Sequence, residues 1–278
     1  MGIICDLCCF KFIRLLNFAG YSRTHISSIM KNLIYLFFGL IFLINCTPPA
    51  DNIQQKLGYT MQTVEFRSPD CEPETDACLM LDIVYPRFDK GDSLAMLLAN
   101  RIMKNSILDN IGMGDVESTE DPGIEEAVEG LNKSFLDLKK DFNDYATGWE
   151  AHINTRELYQ SDSILVLAVG SMTYFGGAHP NSNIRYFNFN RNTGSYLPIT
   201  SFVSDLDEFT AKAEAVFKKA YNIEDGISYD DAGFNFLGNR YVLSANYAYL
   251  GDSIKLHYNH YEISSYAAGD FEITVSIK

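Results

Sequence analysis

The sequence lacks the short motifs that mark the commonest enzyme chemistries. It has no Gly-x-Ser-x-Gly nucleophile elbow, no P-loop and no dinucleotide-binding fingerprint. It has no His-Glu-x-x-His pair and no matched Cys pairs, and a zinc site needs three or four ligands. No metal and no cofactor is therefore expected. Internal repeats and low-complexity stretches are absent too, which removes solenoid and fibrous architectures. Basic residues are scarce, with 22 Lys and Arg against 36 Asp and Glu, so nucleic acid and anionic lipid are poor partners. A glycosidase needs only two carboxylates in a cleft, and so acidic a chain supplies candidates everywhere. That signal carries no weight by itself.

What is present begins with the N-terminus. Residues 33–44 are an unbroken apolar run, with Lys31 before it and Cys46 almost directly after. A membrane-spanning helix needs about 20 such residues, so the run is short for a permanent anchor. A basic start and a short apolar core are the pattern of a signal peptide. The ending Leu43-Ile44-Asn45-Cys46 resembles a lipobox, in which the cysteine is lipidated and becomes the first mature residue. Asn45 departs from the usual small residue there, and an uncleaved signal anchor is the rival reading. Met30 would begin a standard signal peptide, leaving residues 1–29 as a mis-called start or an extension. The expected organisation is a leader over 1–45, a lipidated tether over 46–58 and a domain over 59–278. The domain is read as two halves, 59–150 and 151–278. Loss of the leader removes Lys11, Arg14, Arg23, Lys31 and Asp6 and takes the net charge from −14 to −17.

Cysteine usage agrees with export. Cys5, Cys8 and Cys9 lie in the leader and Cys46 takes the lipid, which leaves Cys71 and Cys78. An even pair in an oxidising compartment suggests a disulfide, here at the tip of a hairpin. The rival, a two-Cys metal site, has no histidine nearby.

The mature chain has the hydrophobic share, 47%, of a protein with a core. Residues 59–67, 78–85, 148–158, 162–174, 183–190, 240–249, 253–258 and 271–277 read as strands from their alternation or apolar runs. Ile164–Val169 is apolar throughout, as suits a central strand covered on both faces. Helices are expected over 90–108, with Leu94, Leu97, Leu98, Arg101, Ile102 and Ile107 on one side, over 122–146 and over 205–221. The second of these is the most regular. Ile124, Val128, Leu131, Phe135, Leu138, Phe142 and Tyr145 form one stripe, Pro122 starts it and Asp121 is placed to cap it. A coiled-coil seam is the alternative to a helix laid on a sheet. The fold class is α+β, with antiparallel sheets packed against two main helices, 122–146 and 205–221. Trp149, Tyr174, Leu165, Leu167, Tyr247 and Phe271 are expected to be largely buried.

Two segments are chemically unusual. In Tyr174-Phe-Gly-Gly-Ala-His-Pro-Asn181, Gly176 and Gly177 permit positive φ, and Pro180 holds His179 extended. Asn181 can bond its own local backbone. His179 reads either as a general base or ligand, or as part of a tight connection tied down by His179 and Asn181. In the second, His257 and His260 lie three apart, but Ile254, Leu256 and Tyr258 alternate there. That sets His257 on the opposite face and weakens a metal reading.

These same segments carry a resemblance. Phe175-Gly-Gly-Ala-His-Pro-Asn181 is followed by Phe187-Asn-Phe-Asn190, Thr193-Gly194, Leu197 and Phe202. Later come His257-Tyr-Asn-His-Tyr-Glu-Ile263 and Tyr266-Ala-Ala-Gly269. Together they resemble the extracytoplasmic domain of unknown function shared by RsiV-type anti-sigma factors and PdaC-type peptidoglycan deacetylases. The likeness runs from about residue 59 to the C-terminus. The sequence departs from the family where His260 replaces a usual Pro and Pro180 a usual small residue. Neither a deacetylase domain nor a cytoplasmic sigma-binding region is expected. The RsiV-type domain binds lysozyme, a basic protein, so the resemblance implies a non-catalytic envelope-binding lipoprotein for a lysozyme-like protein or for peptidoglycan. Candidate binding residues are Gly176, Gly177, His179, Asn181, Tyr258, Tyr261 and Tyr266, with Tyr261 and Tyr266 seated against the sheet. Two alternatives stay open: an envelope glycan hydrolase using His179 with acidic residues, and a structural assembly component with an exposed apolar patch on the 122–146 helix.

Overall fold

The structure, a computed structural model, describes residues 55–69, 71–72, 77–112, 123–142 and 147–278. The leader, Cys46, most of the tether, residues 113–120, Asp121, Pro122 and Tyr145 lie outside the described residues. The fold is α+β. Strands β1 (Gly58–Arg67), β2 (Leu79–Lys90), β3 (Trp149–Gln160), β4 (Ile164–Tyr174) and β5 (Asn181–Asn190) form one sheet in that order. Strands β6 (Tyr247–Tyr249), β7 (Ser253–Tyr258) and β8 (Phe271–Ser276) form a second. The helices are α1 (Ser93–Asn110), α2 (Ile124–Asp141) and α3 (Leu206–Ala220).

The sheets are mainly antiparallel, as expected, with one exception among the described strands. β2 and β3 run parallel, from Leu79 opposite Trp149 to Val84 opposite Asn154. A parallel pair requires a crossover, and α1 and α2 lie in that crossover. All three expected helices are present, and α1 joins the two main ones by packing on β2. The second sheet is entirely antiparallel. The first sheet draws β1 and β2 from the first expected half and nearly all of β3, with β4 and β5, from the second. The folded body also starts earlier than expected. Leu57 is fully buried and its N–H donates to the Arg191 carbonyl at 2.7 Å, so it belongs to the domain and not to a tether.

Capping fixes two helix starts. Asp92 accepts from the N–H groups of Leu94 and Ala95, and Asp205 accepts from Glu208 N–H. α2 has Gly123 at its cap with no side-chain bond, so it starts later than the expected Pro122. Glu125 and Glu126 in its first turn and Lys139 and Lys140 in its last complement the helix dipole. Its stripe is buried from Ile124 to Phe135, but Leu138 and Phe142 are exposed. On α1 the buried face is Ala95, Ala99, Met103 and Ile107, whereas Leu94 and Leu97 face solvent. Small alanines win that face because another backbone approaches it. The Asn190–Gly194 turn presses on Ala95, and a Cβ on Gly194 (φ 68°) would overlap the Ala95 carbonyl.

The first core sits among α1, α2 and the first sheet; the second sits between α3 and the second sheet. Leu165, Leu167 and Tyr247 are buried as expected, while Trp149, Tyr174 and Phe271 are only half-buried. Residues 240–246 are not strand, because Asn246 has another task. β5 is an edge strand whose outward backbone groups need partners. Asn246 supplies them by accepting from Tyr186 N–H and donating to the Ile184 carbonyl. Asn259 accepts from Ile184 N–H at 2.8 Å. In return Asn188, fully buried on β5, donates to the Tyr247 carbonyl and accepts from Tyr249 N–H. Three side-chain amides thus stitch the two sheets where no ladder forms.

Candidate functional site

The β4–β5 connection and the β7–β8 connection meet at one end of the molecule. In the first, Gly176 (φ 87°) and Gly177 (φ 111°) take up conformations that a side chain disfavours and so bend the chain back. Tyr174 Oη donates to the Gly177 carbonyl at 3.1 Å and holds the bend. The bend carries His179 out into solvent, where its ring stacks on Tyr266 with centroids 3.7 Å apart. His179 Nδ1 lies 2.9 Å from the Pro180 carbonyl, and Nε2 lies 3.1 Å from Tyr261 Oη. A carbonyl only accepts, so Nδ1 carries the proton and, in the neutral ring, Nε2 accepts from the tyrosine. Tyr266 Oη donates to the same carbonyl at 2.9 Å. His260 extends the row, its ring 4.8 Å from Tyr266.

The two segments singled out in the sequence therefore form one exposed aromatic ledge. Both His179 nitrogens are engaged and no carboxylate bonds to it among the described residues, so in this arrangement it positions rings. The expectation that Tyr261 seats against the sheet is overturned. It is 62% exposed and held at φ 68°, an uncommon conformation for a bulky residue, costing of order 1 kcal/mol. The other site expectations divide. Tyr258 is buried among Phe217 and Phe236 and donates to the Val242 carbonyl at 2.7 Å, so it is a core residue. Burial, then Tyr241, pushes its hydroxyl well above the ordinary range. Asn181 starts β5 opposite Thr173 with its side chain unbonded, contrary to the local bond expected of it.

The Cys71–Cys78 disulfide is formed, and it points to an oxidising, extracytoplasmic compartment. Among the described residues no helix is long and apolar enough to cross a membrane. No group of three or more His, Cys, Asp or Glu there is placed to hold a metal ion.

Sequence reasoning missed two features beside the ledge. On one side, Glu262 lines a groove with Phe236, Leu237 and Val242. Leu237 is 90% exposed on a one-turn 3-10 helix, and Val242 is 51% exposed. On the other, His260 lines a cavity of about 340 Å³ with His152, Asn154, Asn183, His257 and Asp270. His257 is buried; its Nε2 is 3.4 Å from Asp270 and its Nδ1 3.8 Å from Glu272, both without hydrogen-bond geometry.

Comparison with known proteins agrees with this fold. Residues 202–278 match the family described as Protein of unknown function (DUF3298). A DUF3298-family protein from Bacteroides fragilis superposes with a TM-score of 0.60 at 18% identity, over 79% of this chain and 90% of that one. A second, from Pseudomonas aeruginosa PAO1, gives 0.55 at 17% identity with the same coverage. No curated protein sequence matches. The described residues thus share the fold of solved DUF3298-family proteins, and residues 202–278 carry the sequence pattern of that family.

Proposed function

We propose that this protein is an exported, lipid-anchored and non-catalytic binding module of the cell envelope, and that its partner is a basic protein. The observation that carries this reading is Tyr261. A strained, exposed tyrosine braced by His179 and Tyr266 is a rigid anchor of the kind that dominates protein interfaces. Beside it, Leu237 and Val242 supply apolar contact and Glu262 an acidic rim. The net charge of the mature chain, −17 once the leader's five charged residues are removed, steers a basic partner towards that surface. The likeness to the RsiV-type domain supports a lysozyme-like partner.

Lysozyme is the probe for the test. Calorimetric titration is expected to show binding that weakens steeply with salt, and Tyr261→Ala is expected to cost about 2 kcal/mol or more. Absence of salt-sensitive binding at low ionic strength would remove this reading. Anchoring is tested separately: a palmitate analogue is expected to label wild type and not Cys46→Ala.

A further inference from the structure

The cavity on the far side of His260 has its own chemistry. Three of the four histidines in the described residues, His152, His257 and His260, line it, and no Lys or Arg does. Asn154 on β3 and Ser182 and Asn183 on β5 also line it, and their side chains make no hydrogen bond among the described residues. His257 is 1% exposed, and its ring nitrogens make no hydrogen bond although Asp270 and Glu272 lie 3.4 and 3.8 Å from them. The unbonded amides and hydroxyl, with the His260 imidazole, offer donors and acceptors together. Alternating donors and acceptors are what the hydroxyls of a sugar require. The His260 wall continues into the stacked rings of Tyr266 and His179, and such faces pack on the C–H face of a pyranose. At about 340 Å³ the cavity is at the small end of ligand sites and is sized for one or two sugar units.

We propose that this cavity is a saccharide-binding site for a neutral or ammonium-bearing sugar. Charge fixes the class. Asp270 lines the cavity and Glu150 stands 3.9 Å from His152, while no Lys or Arg lines it to hold a carboxylate or phosphate; Glu272, beside His257, is already paired with Lys255 at 3.0 Å. An anionic sugar would bring its charge against these carboxylates unpaired. An amino sugar would set its ammonium near Asp270. The site goes beyond the protein-partner reading and uses different side chains, so either can fail alone.

The test titrates the purified full chain with three probes: N-acetylglucosamine trimer, glucosamine trimer and galacturonic acid trimer. The first two are expected to bind and the third not. Asn183→Ala and Asn154→Ala, both at exposed strand positions that leave the core intact, are each expected to weaken binding roughly five- to tenfold. Tyr261→Ala is expected to leave it unchanged. The proposal is overturned if no trimer binds, or if the galacturonate trimer binds as well as the others. It is overturned equally if the Asn154→Ala/Asn183→Ala double variant keeps full affinity or if Tyr261→Ala alone abolishes it, since the sugar would then sit elsewhere.

Discussion

The two larger cores among the described residues are filled with different material. Among the described residues, eight of the fifteen buried residues in the core of the second sheet are Phe or Tyr, against four of twenty-three in the core of the first. The first sheet has five long strands with two helices, so alternating Leu, Ile and Val reach the core from regular elements. The second has three short strands, one helix and a mostly irregular run over 221–246. Irregular chain leaves gaps that large rings fill and carbonyls that tyrosine hydroxyls satisfy. Tyr258 bonds the Val242 carbonyl, Tyr247 the Leu197 carbonyl and Tyr221 the Glu272 carbonyl. Phe217 on α3 is the centre of this packing, touching Tyr229, Phe234, Phe236, Tyr241 and Tyr258. The rings therefore replace regular structure as the source of order there.

The contrast can be broken most completely by alkali. Burial pushes Tyr241 from its ordinary value of 10 up to about 12, and it raises Tyr229, Tyr247 and Tyr258 further. Their folded values lie above the unfolded one, so their contribution is fully present below pH 10 and is lost as pH rises through the folded values. The second core is expected to unfold between about pH 10 and 12, with tyrosinate absorbance and the loss of near-ultraviolet circular dichroism coinciding. Next in size is Phe217→Ala, expected to cost about 3–5 kcal/mol in urea denaturation. Hydrogen exchange should show β7, β8 and α3 losing protection before β4. If β4 amides opened together with them, the two cores would be one cooperative unit.

The amides between the sheets are the third place to probe. Asn188→Ala strands the Tyr247 carbonyl and the Tyr249 N–H, at a cost of about 2–3 kcal/mol. Its effect should appear as earlier exchange of β6, leaving the centre of β4 unchanged. A fourth test acts on the first region alone. Reduction of Cys71–Cys78, or Cys71→Ser, releases a loop of sequence separation 7 and is expected to cost about 2–3 kcal/mol. The loss should be localised, because the loop touches α2 through Lys139 Nζ, which donates to the Ala77 carbonyl. Equal loss of protection in the second sheet would contradict the separation of the cores.

Most of the elements were legible in the sequence because their patterns are local. β4 shows as an apolar run, β8 as strict alternation and α3 as a stripe with Asp205 ahead of it. The disulfide followed from the cysteine count. The parallel β2–β3 pair was not legible, since nothing in either strand encodes which neighbour it takes across a long crossover. The buried face of α1 was misjudged because hydrophobicity favours leucine, while the close approach of Gly194 demands alanine. At the candidate site, the glycine bend and the His-Tyr segments stood out individually. Their meeting did not, because His179 and Tyr261 are 82 residues apart and only the sheet stitching brings them together. Asn154 and Asn183 carried no signal, being isolated amides on exposed strand positions.

The smallest effect tests how rings and charges share the second core. Glu214 on α3 accepts from Tyr229 Oη at 2.8 Å and pairs with Lys218 at 3.0 Å. Partial burial raises its carboxyl, but Tyr229 and Lys218 outweigh that and leave it below the ordinary carboxylate range. A lowered folded value means stability that is present above the unfolded value and lost as pH falls through the folded one, so this pair weakens only in acid. The side chain is partly exposed and the ion pair is screened, so Glu214→Gln is expected to cost about 0.5 kcal/mol at neutral pH. The variant should be indistinguishable from wild type in acid, where the carboxyl is protonated in both states. A difference that persisted there would show that Glu214 shapes the ring packing around Tyr229 and does more than hold a charge beside it.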